Sequence, residues 1–247
     1  MSEMPYEHFA DIYDGFMADA PYDDWLKWLS GLNLSGETVA DVGCGTGTLA
    51  LELARRGARL IGVDVASTML STAAARAARE HLRITWLCQD MRELSLPVPV
   101  DLLLSTCDSL NYLVTRDDLL GAFRRFHEFL RPSGLFCFDM LGPDRIEKLS
   151  EGVWFDLRDD AEVWFTSDVD DDGRIEYEVH AFFEDGERPG LYRKFVERHV
   201  EQFYSEKAVR AVLSEAGFEV VEMMGDFGRT PSSSADRIVV IARKIQA

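Results

Sequence analysis

Cysteine, long apolar runs and basic side chains are all scarce in this sequence, and each scarcity closes off a class of protein. The four cysteines, Cys44, Cys88, Cys107 and Cys137, form no CxxC pair and have no histidine nearby at ligand spacing, so no zinc site is legible and no metal is expected. Three of them lie in or at the ends of apolar runs (ITWLC, DLLLSTC, LFCFDM), where a free thiol behaves as a small buried hydrophobe. No apolar stretch approaches the ~18 residues of a membrane span. The opening Met1-Ser2-Glu3-Met4-Pro5-Tyr6-Glu7 lacks the basic and apolar regions of a signal peptide, which predicts a cytoplasmic protein with no membrane partner. Against 44 acidic residues there are only 26 basic ones, a net charge of −18, so nucleic acid would have to bind against a repulsive mean field. A nucleic-acid partner is disfavoured.

What is present is an ordinary globular composition, 47% hydrophobic and 28% charged over 247 residues, which excludes disorder, collagen and coiled coil. The length suits one large domain or a domain with a sizeable insertion. From Thr38 onward, short apolar runs alternate with helical patterns: TVADV (38–42), RLIGVD (59–64), ITWLC (84–88), DLLLSTC (101–107) and GLFCFDM (134–140), with helices between them and breaks near Gly57, Pro97 and Pro132-Ser133-Gly134. Repeated βαβ units of this kind predict an α/β protein with a doubly wound, mostly parallel sheet and a ligand crevice beyond the carboxyl ends of its strands. Between 151 and 204 the period changes to two, with turns at Asp170–Gly173 and around 185–190, which predicts an inserted antiparallel β subdomain. The parallel pattern then resumes with a helix (206–215), FEVVEMM and RIVVIARK. The expected division is 36–150 with 205–247 as the α/β domain, 151–204 as the insertion, and 1–35 as a helical segment. In that first segment Tyr6, Phe9, Ala10, Tyr13 and Met17 fall at helical spacing, as a stripe packed on the core or a lid over the crevice. Residues 151–190 carry 14 acidic and 3 basic side chains, so most of the net charge sits on the insertion, most simply as a solvated face.

The most informative stretch is VADVGCGTG (39–47), at a strand end and opening a helix. Gly43, Gly45 and Gly47 leave a bare backbone on which a ligand can rest. The spacing is GxGxG, whereas a dinucleotide fingerprint wants GxGxxG. Asp41 also stands two residues ahead of the first glycine, where a pyrophosphate would meet a like charge and an ammonium would be favoured. Asp64 ends the second strand, where a carboxylate accepts ribose hydroxyls. After the third strand comes Cys88-Gln89-Asp90-Met91-Arg92, in which Asp90 can accept from an adenine amino group and Met91 can offer its N–H and a polarizable side chain.

Taken together, these residues resemble the class I S-adenosylmethionine-dependent methyltransferases, with VADVGCGTG, GVD and QDM similar to that family's first three motifs. The resemblance covers about 36–140 and 205–244. It implies the Rossmann-like seven-stranded methyltransferase fold with sheet order 3-2-1-4-5-7-6, strand 7 antiparallel, and S-adenosylmethionine as cofactor. By carry-over, Asp41 and Gly43, Cys44, Gly45 and Gly47 lie along its methionine part, Asp64 with Val65 at the ribose, Gln89, Asp90 and Met91 at the adenine, and Cys107 beside the site. The antiparallel insertion and QDMR look similar to small-molecule members, including N-methyltransferases of amino acids and amino sugars.

Such an enzyme chiefly has to align acceptor, methyl and sulfur in line. The nearest candidates to the methyl are Asp108, Asn111 and Tyr112, just beyond strand four, with Tyr13 and the insertion residues His180, Arg198 and His199 behind them. Asp108 can orient or deprotonate an amine, or simply cap the next turn. His199 alternates with Glu197 and Glu201 on one strand face, while Val196 and Val200 take the other, which predicts exposure of the polar face. The expected partner is a small-molecule methyl acceptor, an amine being the favoured type. Three readings stay open beside it: a nicotinamide-dependent oxidoreductase, a non-catalytic cofactor-binding module, and a methyltransferase acting on protein or RNA.

Overall fold

The computed structural model describes residues 20–150, 152–157, 161–184, 188 and 190–245. Among the described residues, eleven strands fall into two sheets. The larger sheet contains β1 (Thr38–Val42), β2 (Arg59–Asp64), β3 (Ile84–Cys88), β4 (Val100–Ser105), β5 (Leu130–Leu141), β10 (Phe218–Gly225) and β11 (Arg237–Lys244). Their spatial order is β10-β11-β5-β4-β1-β2-β3. Only β11 runs antiparallel to its neighbours, pairing with β5 and β10, while β1, β2, β3, β4 and β5 pair in parallel. This is the order and polarity that the family resemblance implies.

Helices cover both faces of that sheet, which is why every residue of β1 is buried and its sequence shows no alternation. On one face, α1 (Tyr22–Leu29) and α2 (Thr48–Arg55) set Trp25, Leu29, Leu49 and Leu53 against Val39, Leu102, Leu104 and Val239. On the other, α4 (Arg116–Phe129) buries Leu119, Phe123 and Phe126 against Phe136 and Phe138. Each such aromatic contributes about 1.5–3 kcal/mol of burial free energy. Helix α4 starts where Thr115 accepts from the Asp118 N–H (3.1 Å), with Asp117 and Asp118 in its first turn, an arrangement that caps the free N–H groups and suits the helix dipole. Helix α3 (Ser67–Arg79) packs beside β2 and β3, and α6 (Glu206–Glu215) precedes β10.

The smaller sheet is antiparallel, in the order β6 (Val153–Leu157), β7 (Ala161–Val169), β8 (Arg174–Glu184) and β9 (Tyr192–Gln202). Its inner face sets Val163, Val179 and Ala181 on Ala66 and Met69, and Ile175 on Leu141 and Leu149. The insertion therefore walls the carboxyl end of the parallel sheet.

Three details differ from the sequence reading. Strand β6 and helix α5 (Pro143–Leu149) had no periodic signal long enough to be seen. Strand β5 begins at Leu130, earlier than its apolar run, and Pro132-Ser133-Gly134 forms a bulge inside it: Val100 pairs with Leu130, and Leu102 already with Leu135. The stripe from Tyr6 to Met17, with Tyr13, lies outside the described residues. No described helix is long and apolar enough to cross a membrane.

Candidate active site

The loop between β1 and α2 is held by backbone bonds, with Gly43 N and Cys44 N both donating to the Val63 carbonyl at 2.8 and 3.0 Å. Gly45 adopts φ +53°, a left-handed conformation that a β-branched residue tolerates poorly. Its N–H donates to Asp64 Oδ2 at 2.8 Å. Gly43 is needed for a different reason: a Cβ there would stand 2.6 Å from Ser109 Oγ, so the loop and the turn after β4 touch. Gly47 and Gly62 are bare because the Trp86 ring fills the space their side chains would take.

Asp41 is 1% exposed and neither carboxylate oxygen finds a hydrogen-bond partner among the described residues. Burial, and then the nearby Asp64, push its pKa up to about 7. Asp64 accepts from Ala66 N at 2.9 Å as well as from Gly45 N. A carboxylate offers roughly four acceptor positions, so Asp64 pins the loop and keeps acceptor capacity for a ligand. Burial raises its pKa, against those backbone donors. In the turn after β3 the polar side chains are turned inward on the chain. Asp90 accepts from Arg92 N (2.9 Å), Nε (3.0 Å) and Nη2 (2.6 Å), and this pairing lowers its pKa. The Gln89 amide bridges to Ser95, accepting at 2.9 Å and donating at 3.2 Å. Met91 is partly buried near Gly43, while Val65 is exposed. Cys44 is buried, and burial drives its thiol pKa well up.

Beyond β4 the chain turns sharply at Cys107 and Asp108, both at φ 56°. Two successive residues in this region cost on the order of 1–3 kcal/mol each. The turn holds because both N–H groups converge on the wholly buried carboxylate of Asp139: Cys107 N donates to Oδ2 at 3.1 Å and Asp108 N to Oδ1 at 2.9 Å, a backbone nest around an anion. Asp139 also accepts from Trp25 Nε1 at 2.6 Å and from Arg237 Nη1. That same Nη1 donates to Asp108 Oδ1 at 2.6 Å. Burial works against the Arg237 charge, but Asp139 and Asp108 more than offset it and hold the guanidinium protonated. Asp108 is thus an ion-pair partner and makes no side-chain cap for the turn it opens. Asn111 is fully buried, donating from Nδ2 to the Gln202 carbonyl (2.7 Å) and accepting from Leu141 N (3.2 Å), so its amide ties β5 to β9.

The inserted sheet supplies the facing wall. Tyr112 Oη lies 2.9 Å from His199 Nδ1 and 3.1 Å from Tyr177 Oη, and Tyr177 Oη donates to Glu201 Oε1 at 2.8 Å. His199 stacks on Tyr177 with ring centroids 4.7 Å apart, and its Nε2 is 3.5 Å from Glu197. The expected exposure of this face is therefore wrong: His199 is 3% and Glu201 2% exposed. The alternation was real, but polar residues that hydrogen-bond one another and Tyr112 can face a crevice as well as water. Burial, then Asp108, push the Glu201 pKa up to about 8, against hydrogen bonds from Tyr177 and Tyr112 and the Arg237 charge. His180 and Arg198 sit on the opposite face, both bound to Glu178, with His180 stacked on Trp164. They take no part in the crevice. Sequence reading missed Asp139, Arg237 and Tyr177, and misplaced Glu201. The available signal was an ionisable residue at the crevice end of an apolar strand, as in GLFCFDM and RIVVIARK.

A sheet of this order, with a glycine loop after its first strand and an acid ending its second, defines the class I S-adenosylmethionine-dependent methyltransferase fold. A methyltransferase-domain family model matches residues 39–134. Over 249 residues the chain is 34% identical to a protein of Geobacillus sp. (strain WCH70) that bears a methyltransferase name, covering 98% of this chain and 100% of that one. The crystal structure of a S-adenosylmethionine-dependent methyltransferase from Clostridium acetobutylicum ATCC 824 matches with a TM-score of 0.85 at 25% identity, over 98% of this chain and 99% of that one. CalS10, an amino pentose methyltransferase from Micromonospora echinaspora solved with S-adenosylmethionine bound, shares the fold at a TM-score of 0.72 and 19% identity, over 99% of both chains. The chain belongs to the S-adenosylmethionine-dependent methyltransferases; it is an enzyme, a transferase, and S-adenosylmethionine is its cofactor. The residues present fit that cofactor, since a buried carboxylate with no hydrogen-bond partner within normal distance among the described residues (Asp41) and a bare loop pinned by Asp64 suit a ligand carrying an ammonium group and a ribose.

Proposed function

We propose that the enzyme methylates a small molecule at an amine. The observation that carries this reading is the acidic character of the crevice beyond β4 and β5, where Asp108 and Asp139 share the guanidinium of Arg237 and the carboxyl of Glu201 stands close by. A cationic or amine-bearing acceptor complements such a wall, whereas a phosphate meets repulsion. The fold it shares with an amino pentose methyltransferase agrees with this reading.

In this reading Asp41 faces the methionine end of the cofactor, Gly43, Cys44, Gly45 and Gly47 give it a surface, Asp64 and Val65 take the ribose, and Gln89, Asp90 and Met91 border the adenine, with Cys107 at the methyl end. Arg92 has to share Asp90 with the ring. The bound cofactor supplies an already activated methyl group, so the protein's work is alignment and exclusion of water. Asp108, fixed by Arg237, orients the acceptor, and Asn111 braces the wall. We place the enzyme in the cytoplasm, without nucleic-acid or membrane partners.

The test is a screen for homocysteine-forming turnover against pooled amines, phenols, carboxylic acids and tRNA. Turnover confined to the amine pool is the expected result. Turnover only with phenols, acids or tRNA removes the amine reading and leaves methyl transfer standing.

A further inference from the structure

Alignment alone leaves one buried group of the crevice without a task, the carboxyl of Glu201. We propose that Glu201 receives the proton displaced from the acceptor nitrogen, with Tyr177, Tyr112 and His199 as the residues that position it. The proposal rests on the amine reading above.

Every element packed around Glu201 presents a polar or charged group to it. Tyr177 of β8 donates to Oε1 at 2.8 Å. Tyr112, from the turn after β4, lies 3.1 Å from the Tyr177 hydroxyl and 2.9 Å from His199 on Glu201's own strand. Asp108 and Arg237 act on it through charge, and Asp139 stands behind Arg237. Asp108 is the obvious rival as proton acceptor, but its Oδ1 is already taken by the Arg237 guanidinium at 2.6 Å. Among the described residues the groups that hydrogen-bond to Glu201 are the neutral hydroxyls of Tyr177 and Tyr112, and burial keeps its proton affinity raised, toward that of an amine. Asp108, whose charge reaches Glu201, immediately precedes Ser109, whose Oγ is 3.4 Å from the Gly43 carbonyl of the glycine loop. From Glu201 the polar chain continues through Tyr177, Tyr112 and His199 to Glu197, an outward route for the proton. In the transfer, the nitrogen lone pair forms the new N–C bond, the C–S bond breaks with its pair left on sulfur, and the N–H proton passes to the Glu201 carboxylate.

The test needs no identified acceptor. Sinefungin carries an amine where the transferred methyl would stand, and S-adenosylhomocysteine carries nothing there. Titrated by calorimetry into the full-length protein, sinefungin is expected to bind about tenfold or more tighter than S-adenosylhomocysteine at pH 8.5, with the preference shrinking toward pH 6 as the carboxylate protonates. Glu201→Gln should abolish the preference and its pH dependence while S-adenosylhomocysteine affinity stays within about twofold. If Glu201→Gln fails to fold, the Tyr112→Phe/Tyr177→Phe pair decides: losing two donors to the carboxylate raises its pKa, so the preference should appear at higher pH. A Glu201→Gln protein that keeps the preference, or a midpoint that does not move in the tyrosine pair, overturns the role of Glu201. An acceptor screen that yields only phenols or acids overturns the amine reading instead, and failure of both ligands to bind overturns the cofactor site.

Discussion

The two ends of the crevice are built in opposite ways. The end proposed for the cofactor is made of consecutive backbone, five residues from Gly43 to Gly47, with one carboxylate bracing the Gly45 N–H. The end proposed for the acceptor is made of side chains from distant elements: Trp25 of α1, Asp108, Asp139 of β5, Tyr177 of β8, His199 and Glu201 of β9, and Arg237 of β11. A backbone surface tolerates change at its flanks and depends on a few glycines. A side-chain assembly depends on every partner, because removing one leaves another buried without compensation. The difference teaches that one end of the crevice rests on local chain geometry, while the other rests on tertiary packing.

That comparison can be broken most directly at Asp139. Asp139→Ala leaves Arg237 and the strained Cys107–Asp108 turn without their shared anion, and should cost about 3–5 kcal/mol of stability, measured by urea unfolding. A loss below about 1 kcal/mol would show that the acceptor end is not interdependent. Asp41→Asn sharpens the contrast through pH. The native pKa of Asp41, about 7, lies above its ordinary value of 3.8, so its favourable contribution is full below pH ~4 and lost as pH rises through ~7. The wild type should therefore lose on the order of 4 kcal/mol relative to Asp41→Asn between pH 4 and pH 8, visible as diverging melting temperatures; parallel profiles would contradict the buried-acid account. Asp64→Ala removes acceptors for both the loop and the ribose and should weaken cofactor binding by about 1–3 kcal/mol, with the acceptor-end fold intact by circular dichroism. Calorimetry showing unchanged affinity would place the ribose elsewhere. The smallest effect is expected at the β7–β8 tip: replacing Asp170, Asp171 and Asp172 together by asparagine should leave turnover at the wild-type rate, since these acids are exposed and the Asp170 side-chain bonds to Asp172 N and Arg174 N only need an acceptor oxygen. A change in rate would bring the tip's charge into acceptor recognition.

The same contrast explains what could be read without coordinates. VADVGCGTG, the acid ending RLIGVD and the alternation of strands and helices are local patterns, and they predicted β1, β2 and β3 to the residue, while β5 begins four residues ahead of its apolar run. Glu201 and His199 were visible as alternating polar residues, but their facing depends on Tyr112 arriving from another part of the chain, which no window of sequence contains. Asp139 and Arg237 sat inside runs whose apolar character hid them. Asp90 and Gln89 show a subtler limit, because a motif names the residue and leaves open that Arg92 and Ser95 already occupy it.

Strand β11 runs against its neighbours and slots between β5 and β10, so Arg237 enters the crevice from the last strand to follow in the chain. During synthesis on the ribosome, residues 38–225 of the large sheet and the whole inserted sheet emerge before the guanidinium that balances Asp108 and Asp139. Until it docks, Asp108 and Asp139 lack that counter-charge and β5 presents an open edge. Closing this side of the sheet therefore waits on a strand that follows all its neighbours in the sequence, long after the glycine loop has its own residues available to fold.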